Sequence, residues 1–266
     1  MPRSGYDPGF LGVEAPLPAS ALDRAQLLEL DYTHFTVRLR KDRRLAEVTA
    51  VNVDGAALVN LTRGDDWHFD ERVPADLQTG PAVYSGNDFD RGHLVRRRDP
   101  VWGADAQVAN LDTFTYTNAA PQVNVFNQSK ELWVGLEDYV LEFADSTDQR
   151  ISVLTGPVFA DDDVEYRGIR VPQKFFKIAG WMASGELAAT ACLLDQSDLI
   201  ARVVRQGATP TRELGAFRTF QVTVDEIARL TSLDLTPYED ADRLPKRHAS
   251  LTQDPIELRG PDDLRW

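Results

Sequence analysis

The residues best suited to chemistry are concentrated in the segment NDFDRGHLVRRRDPVWG, Asn87 to Gly103, where arginines surround a single histidine. An imidazole has an unperturbed pKa of about 6.5, so it can take a proton from water near neutral pH. Side chains alternate along a strand, which would place Arg91 and His93 on the same side. A planar guanidinium matches the oxygens of a phosphate. A base beside such a cation provides the groups that phosphodiester hydrolysis requires, apart from a metal ion.

A second segment, TNAAPQVNVFNQSKELWVGLEDYV from Thr117 to Val140, offers oxygen ligands for such an ion. Asn127 precedes a predicted amphipathic helix, and Glu137 lies well inside that helix. A neutral amide oxygen with a carboxylate behind it leaves most of the coordination shell to water. Magnesium suits this arrangement because it gives up its waters reluctantly.

Together, the two segments resemble the DNA/RNA non-specific endonuclease family, whose active site is of the ββα-metal type. The resemblance rests on DRGH followed by TNAAPQ, an asparagine and WVGLE, and it runs from about Tyr32 to Leu235. DRGH alone is a weak signal, whereas the combination is highly specific. The resemblance implies an endonuclease that requires Mg²⁺ or Mn²⁺ and hydrolyses DNA and RNA with little sequence preference. It also implies products with 5′-phosphate and 3′-hydroxyl ends.

The resemblance assigns roles to four residues. His93 is the expected general base that activates water, and Arg91 is expected to bind phosphate and stabilise the charge of the transition state. Asn127 is the expected direct ligand of the metal, and Glu137 is expected to hold a metal-bound water. The chain departs from the family pattern just before the helix, where NQSKEL resembles a two-residue insertion. Glu131 is therefore an alternative to Glu137, although the WVGLE context favours Glu137.

Further residues are expected to support the site or to contact the substrate. Asn118, which we place with the catalytic residues, is expected to support the site, as is Asp90. Gly92 is expected to allow a close approach of the backbone. Arg63, in LTRGDDW, loosely matches a second transition-state arginine of the family. Three arginines follow the histidine, and alternation turns at least one of them away from the substrate. We expect one or two of them to contact phosphate: Arg96, Arg97 and Arg98.

Strand and helix signals follow one another irregularly along the chain that must position these residues. The segment THFTVRLRKDRRLAEVTAVNVDG predicts a hairpin, and ISVLTGPVFA, KFFKIAGWM and LAATACLL each predict a strand. PAVYSG predicts a further short strand, and the strand in DTFTYTNAAPQ is expected to stop at Pro121. The fold class is therefore α+β, with a mixed or antiparallel central sheet, flanking helices and a ββα-metal motif. We expect an irregular N-terminal arm over residues 1–30 and one nuclease domain over residues 31–266.

Other aromatic and charged segments have simpler interpretations. The tryptophans are expected in the core or in a cleft wall, and Trp102 is near enough to the motif in sequence to be a candidate for stacking on a base. VRLRKDRR, residues 37–44, is predicted to be mainly a solvated turn. The three aspartates at residues 161–163 lack the spacing of a calcium loop and are predicted to be a solvated loop.

Charge and cysteine content narrow the range of partners. The net charge of −13 opposes long-range attraction to polyanions but remains compatible with one basic cleft, because screening limits interactions to about 8–10 Å. One cysteine, Cys192, excludes an internal disulfide. The apolar runs are too short to span a bilayer and the first residues do not match a signal peptide. We therefore expect a cytoplasmic location without membrane contact.

DNA and RNA are the expected substrates. A non-specific nuclease endangers its own cell, so we also expect restraint by an inhibitor, delivery by another route, or an activating partner. A homodimer is compatible with the family. Two other functions stay open. A catalytically inactive nuclease-like domain that binds nucleic acid or protein is disfavoured by the intact His93, Asn127 and Glu137, and a phosphodiesterase of small nucleotides is disfavoured by the open arginine cluster.

Overall fold

One antiparallel sheet of eight strands forms the frame of the chain in the computed structural model. The structure describes residues 3–62, 64–124, 144, 147–206, 218–244 and 256–258. Its strands are β2 (Leu27–Tyr32), β3 (Phe35–Arg40), β4 (Leu45–Asp54), β7 (Arg150–Val158), β10 (Lys174–Ala183), β11 (Glu186–Asp195), β12 (Arg218–Val222) and β14 (Ile256–Leu258). The strand order across the sheet is β14-β12-β11-β10-β7-β4-β3-β2. The expected α+β class is confirmed.

The remaining regular elements of the described residues are short. Three two-stranded pairs lie outside the large sheet: β1 (Ala19–Ser20) with β13 (Leu233–Asp234), β5 (Phe89–His93) with β6 (Ala119–Val123), and β8 (Val164–Tyr166) with β9 (Ile169–Val171). The α-helices are α1 (Pro81–Tyr84), α2 (Ala106–Asp112), α3 (Ser197–Gln206), α4 (Val224–Thr231) and α5 (Thr236–Asp240). Within the described part of the chain, none of these helices is long and apolar enough to cross a bilayer.

The large sheet is buried on both faces, which explains why β10 and β11 are almost continuously apolar. On one face, Val37, Val51 and Val153 pack in the same buried cluster as Phe89 and Leu94 of the β5 region. Each such side chain contributes about 1.5–3 kcal/mol when it is fully buried. This apolar contact therefore anchors the β5–β6 pair to the sheet.

The opposite face of the sheet packs against the two C-terminal helices and the N-terminal residues. Leu154 and Ile178 share a buried cluster with Ile227 of α4, Tyr238 of α5 and Tyr6. Residues 3–18 contain no helix or strand, but they are tied to the sheet by backbone and side-chain hydrogen bonds. These bonds include Gly5 N to Tyr32 O (2.8 Å), Tyr6 N to Thr36 Oγ1 (2.9 Å) and Asp7 N to Asn52 Oδ1 (2.7 Å).

Two strand predictions were wrong, and both involve proline. PAVYSG is not a strand, because Pro81 begins helix α1 at a position where its fixed φ suits the helix and its missing N–H costs no hydrogen bond. The strand expected to stop at Pro121 is instead β6, which runs from Ala119 to Val123. Proline is tolerated there because a two-stranded pair leaves one side of each strand unpaired. The predicted helix that contains WVGLE lies outside the described residues.

Candidate active site

Strand β5 carries the DRGH motif and pairs with β6 in antiparallel register, Arg91 opposite Pro121 and His93 opposite Ala119. Arg91 and His93 are both partly exposed. The Arg91 guanidinium carbon lies 5.3 Å from the centre of the Trp67 ring, and the His93 ring centre lies 4.6 Å from it. The cation and the imidazole therefore contact the same indole, as their alternation along the strand predicts.

Gly92 lets the strand pair close tightly between these two side chains. A Cβ atom at this position would lie 2.1 Å from Cδ of Gln122, which is fully buried on β6. Any larger residue at position 92 must displace Gln122 or push β5 away from β6. Asp90, on the other side of Arg91, is partly exposed and lines the neighbouring cleft.

Asn118 holds the turn that follows His93. Its Oδ1 accepts from Val95 N (2.8 Å), and its Nδ2 donates to Val95 O and Thr113 O, both at 3.0 Å. Its backbone oxygen also accepts from Leu94 N (3.0 Å). The side chain is fully buried, and both its amide oxygen and its amide nitrogen hydrogen-bond to backbone groups. These contacts hold the backbone of the two residues that follow His93.

A buried network fixes the chain just before Asn118. The hydroxyl of Tyr32 donates to Asp70 and lies 2.6 Å from Thr117 Oγ1, while Arg72 Nη2 pairs with Asp70 Oδ2 at 2.6 Å. Burial alone would raise the pKa of Asp70, but hydrogen bonds from Arg72 and Tyr32 lower it to about 2. The carboxylate therefore remains charged at neutral pH and links strand β2 to the turn that contains Thr117.

Trp67 forms an aromatic wall at the candidate site, a specific role that the sequence did not single out. Besides His93, it contacts Phe114 at 5.5 Å and Tyr116 at 5.9 Å between ring centres. Trp102, the candidate for base stacking, lies elsewhere. Its ring stacks on His34 at 3.5 Å, and its Nε1 donates to Asn52 O (2.8 Å). Only their positions in the fold distinguish the two tryptophans.

A cleft of about 730 Å³ opens beside Arg91 and Trp67. Arg91 Nη2 lies 3.6 Å from Oδ1 of Asp65 across this cleft. Burial, followed by the nearby Tyr116, raises the pKa of Tyr84, so its hydroxyl stays neutral. The described residues that line the cleft are Gly64, Asp65, Trp67, Pro81, Tyr84, Ser85, Asn87, Phe89, Asp90 and Arg91.

The three arginines after the histidine are half-buried, and none is among the residues that line this cleft. Arg97 Nη1 donates to Leu61 O (3.3 Å) and to Asn110 Oδ1 (3.1 Å). Arg98 Nη2 donates to Asn60 Oδ1 (3.2 Å). These bonds tie the turn after His93 to residues 60–61. Contact of Arg96, Arg97 or Arg98 with phosphate stays a prediction.

Arg63, Asn127, Glu131 and Glu137 lie outside the described residues. Within the described ranges, no three His, Cys, Asp or Glu side chains form a group that could hold a metal ion. The end of β6 nevertheless brings neutral oxygen donors close to the segment that contains Asn127. Gln122 Oε1 and Asn124 Oδ1 are buried there and have no hydrogen-bond partner among the described residues. Oxygen donors of this kind fit a hard cation such as Mg²⁺.

The β5–β6 pair that carries DRGH is mounted on the large antiparallel sheet. Residues 21–242 match the family model described as DNA/RNA non-specific endonuclease, and the chain belongs to that family.

Curated relatives cover different shares of this sequence. Protein y4fB of Sinorhizobium fredii is 46% identical over 198 residues, which are 66% of this chain and 30% of that protein. Mitochondrial Endonuclease G of Bos taurus is 33% identical over 184 residues, 65% of this chain and 56% of that protein. A nuclease of Nostoc sp. is 26% identical over 202 residues, 75% of this chain and 70% of that protein. The chain thus spans less than two thirds of the first two relatives.

The fold is also that of a solved structure, the EndoG/EndoGI complex. The TM-score is 0.59 at 19% identity, over 81% of this chain and 86% of that chain. At this identity the likeness concerns the fold, and it agrees with the α+β architecture described above.

Proposed function

We propose that this domain is a Mg²⁺-dependent endonuclease that hydrolyses phosphodiester bonds of DNA and RNA with little sequence preference. The observation that carries the proposal is the placement of Arg91 and His93 against one indole beside a single cleft. Membership of the non-specific endonuclease family supports the same substrate class.

His93 acts as the general base in this proposal. Trp67 packs against the imidazole on one side, and Phe114 contacts it edge-on at 5.1 Å between ring centres. Two aromatic neighbours restrict rotation of the ring, and Asn118 fixes the backbone that follows it. The imidazole is thus held in one orientation to take a proton from the attacking water. A positioned base contributes about 10²–10⁴-fold to the rate.

Arg91 binds the phosphate whose bond is cleaved. Its guanidinium is 34% exposed and rests on the Trp67 ring, so its donors remain accessible from the cleft. Charge accumulates on the non-bridging oxygens as the bond to the attacking water forms. A fixed cation stabilises that charge more than it stabilises the ground state, and the loss of one such donor costs about 10²–10³-fold in rate.

Asn127 and Glu137 would hold the metal, in the roles implied by the family resemblance, with Glu131 as the alternative to Glu137. When bound, Mg²⁺ or Mn²⁺ supplies Lewis-acid stabilisation of the phosphoryl oxygen and of the leaving 3′ oxygen. The neutral oxygen donors at the end of β6 are compatible with a hard cation.

The proposal includes restraint of the enzyme by a partner. A cytoplasmic nuclease of this specificity would degrade the nucleic acids of its own cell unless an inhibitor or an activating partner controlled it. The solved structure with a similar fold concerns the inhibition of EndoG in a complex with EndoGI, which supports an inhibitor as the first partner to seek. The expected homodimer stays a prediction.

The test is cleavage of supercoiled plasmid and of a long RNA by the purified protein, with Mg²⁺ and with EDTA. We expect cleavage of both polymers with Mg²⁺ and none with EDTA. His93→Ala should lower the rate at least 10²-fold, because it removes the base. His68→Ala is the matched control, since this exposed histidine is not among the residues lining the cleft, and it should cleave within about twofold of the wild-type rate.

Cleavage that continues in EDTA, or that proceeds at the wild-type rate in His93→Ala, contradicts the proposal. A folded wild-type protein that binds DNA but cleaves neither polymer also contradicts it. That outcome favours the alternative of an inactive, nucleic-acid-binding domain.

A further inference from the structure

An aspartate lies against the arginine that is proposed to bind phosphate. Asp65 Oδ1 is 3.6 Å from Arg91 Nη2, and both residues line the 730 Å³ cleft. The Asp65 side chain is 72% exposed, whereas that of Arg91 is 34% exposed. Both charged groups are thus open to the cleft that a phosphate would enter.

This ion pair has little structural value. An exposed pair with a long separation contributes close to nothing to folding, because water and salt screen it. Arg91 does not depend on Asp65 for its place either, since strand β5 fixes its backbone and the Trp67 ring supports its guanidinium. An acidic residue at this position therefore opposes phosphate binding without a compensating gain in stability.

We propose that Asp65 is an internal competitor for Arg91, which substrate phosphate must displace. This inference rests on the proposed function. Displacing the carboxylate lowers the affinity for any phosphate by the same factor. A single free phosphate has no other contacts that offset this cost, whereas a polymer also gains from contacts at several phosphates along its length. Asp65 thus weakens the binding of free phosphate and mononucleotides to Arg91, whereas a polymer keeps useful affinity through its other phosphate contacts.

Asp65→Asn tests this inference because it keeps the size of the side chain and removes its charge. Asp66→Asn is the matched control: it changes the net charge equally at the next position, and the described residues contain no ion pair of Asp66. Three quantities are measured with Mg²⁺ present: the KM for a long DNA, the kcat for the same DNA, and the inhibition constant of inorganic phosphate. A fourth is the Kd for a single-stranded oligonucleotide in the His93→Ala background, measured by fluorescence anisotropy.

We expect Asp65→Asn to lower KM, Kd and the inhibition constant of phosphate by about two- to fivefold relative to Asp66→Asn, with kcat unchanged. That range is typical of an exposed ion pair. Equal changes in the two variants would mean that only bulk charge acts, and the inference would fall. A fall in kcat, or a rise in Kd, in Asp65→Asn would show instead that Asp65 positions Arg91.

The failure of this inference is distinguishable from the failure of the proposed function. Wild-type cleavage that needs Mg²⁺ and His93, together with equal behaviour of Asp65→Asn and Asp66→Asn, removes the inference and leaves the nuclease in place. The Kd of the oligonucleotide reports on Arg91 even where cleavage is not measured.

Discussion

Two arginine-lined clefts of similar size lie near each other, about 730 Å³ at the candidate active site and about 680 Å³ beside the β8–β9 pair. Tyr166 lines the second cleft and contacts Phe89 of the first at 5.3 Å between ring centres. The second cleft has four arginines, whereas the first has Arg91 alone among its described lining residues. No histidine is among the described residues that line the second cleft.

What separates the two clefts is how firmly each guanidinium is already bound. Three of the four arginines in the second cleft have closer partners: Arg40 bonds to Asp42 (2.8 Å), Arg43 to Asp163 (3.1 Å) and Arg167 to Ser85 O (2.6 Å). The fourth, Arg170, has only an exposed pair with Glu165 at 3.7 Å, which is as weak as the pair of Arg91. Arg91 has only the exposed Asp65 as an ion-pair partner among the described residues, next to the imidazole of His93. The number of arginines in a cleft thus says little about phosphate binding. We expect phosphate binding to depend on the neighbours of each arginine, and Arg91 is the one that lies beside an imidazole.

The largest expected effect comes from the single arginine of the first cleft. Arg91→Ala should lower kcat/KM on plasmid DNA by about 10²–10³-fold, because it removes the cation proposed to stabilise the transition state. The assay is initial rate against DNA concentration with Mg²⁺, and the unfolding midpoint is measured alongside. A loss of less than about tenfold in a stably folded variant would mean that Arg91 does not set the first cleft apart from the second.

The second-largest effect is expected for Arg43→Ala, on stability rather than on activity. Arg43 is 10% exposed and its partner Asp163 is fully buried at the side chain, so Arg43→Ala leaves a buried carboxylate without its counterion. Losing one partner of such a pair costs about 3 kcal/mol in the free energy of unfolding. Denaturant titration followed by tryptophan fluorescence measures it. Arg40→Ala, which breaks the more exposed pair with Asp42, is the control and should cost less than about 1 kcal/mol.

The pH dependence of the stability of Arg43→Ala tests whether the unpaired Asp163 carboxylate causes this loss. Burial raises the pKa of Asp163 above its ordinary value of 3.8 even with Arg43 present. A raised carboxyl pKa means that the folded protein holds the proton more tightly, so stability from this group falls as pH rises through the folded pKa. Without Arg43 the pKa rises further. The deficit relative to wild type should therefore be smaller at pH 4.5 than at pH 7, and an equal deficit at both would contradict the explanation.

The smallest effect is expected from Arg170→Ala. Arg170 pairs with Glu165 at 3.7 Å, and the two side chains are 44% and 81% exposed. We expect kcat/KM within about twofold of wild type and little change in stability, because such pairs contribute about 0–1 kcal/mol. A loss of activity comparable to that of Arg91→Ala would show that the second cleft also contacts the substrate.

The sequence predicted the large sheet well because its signals are local. Alternation in β3 and the apolar runs of β7, β10 and β11 each predicted a strand at the right place. Arg91 and His93 also lie on the same side of β5, as predicted, because their alternation depends on one strand alone.

Contacts between residues that lie far apart in the chain could not be predicted from local sequence patterns. The loop of three aspartates was predicted to be solvated, but Asp163 is buried against Arg43, which lies far away in the sequence. Trp102 is closer to His93 along the chain than Trp67 is, yet Trp67 contacts the imidazole. Sequence separation carries no information about such contacts, because they are set by how the β5–β6 pair packs on the sheet.

The carboxamide of Asn118 has the same groups as a peptide bond, one carbonyl and one N–H side, and it uses them as a neighbouring strand would. It bonds to both the N–H and the C=O of Val95. Just after the end of β5, the side chain of Asn118 thus makes the two hydrogen bonds that a neighbouring strand would otherwise make. Among the described residues, β5 has one strand neighbour, β6, and needs no second to fix its end. The turn that follows His93 is thus held from inside the protein, by a buried side chain.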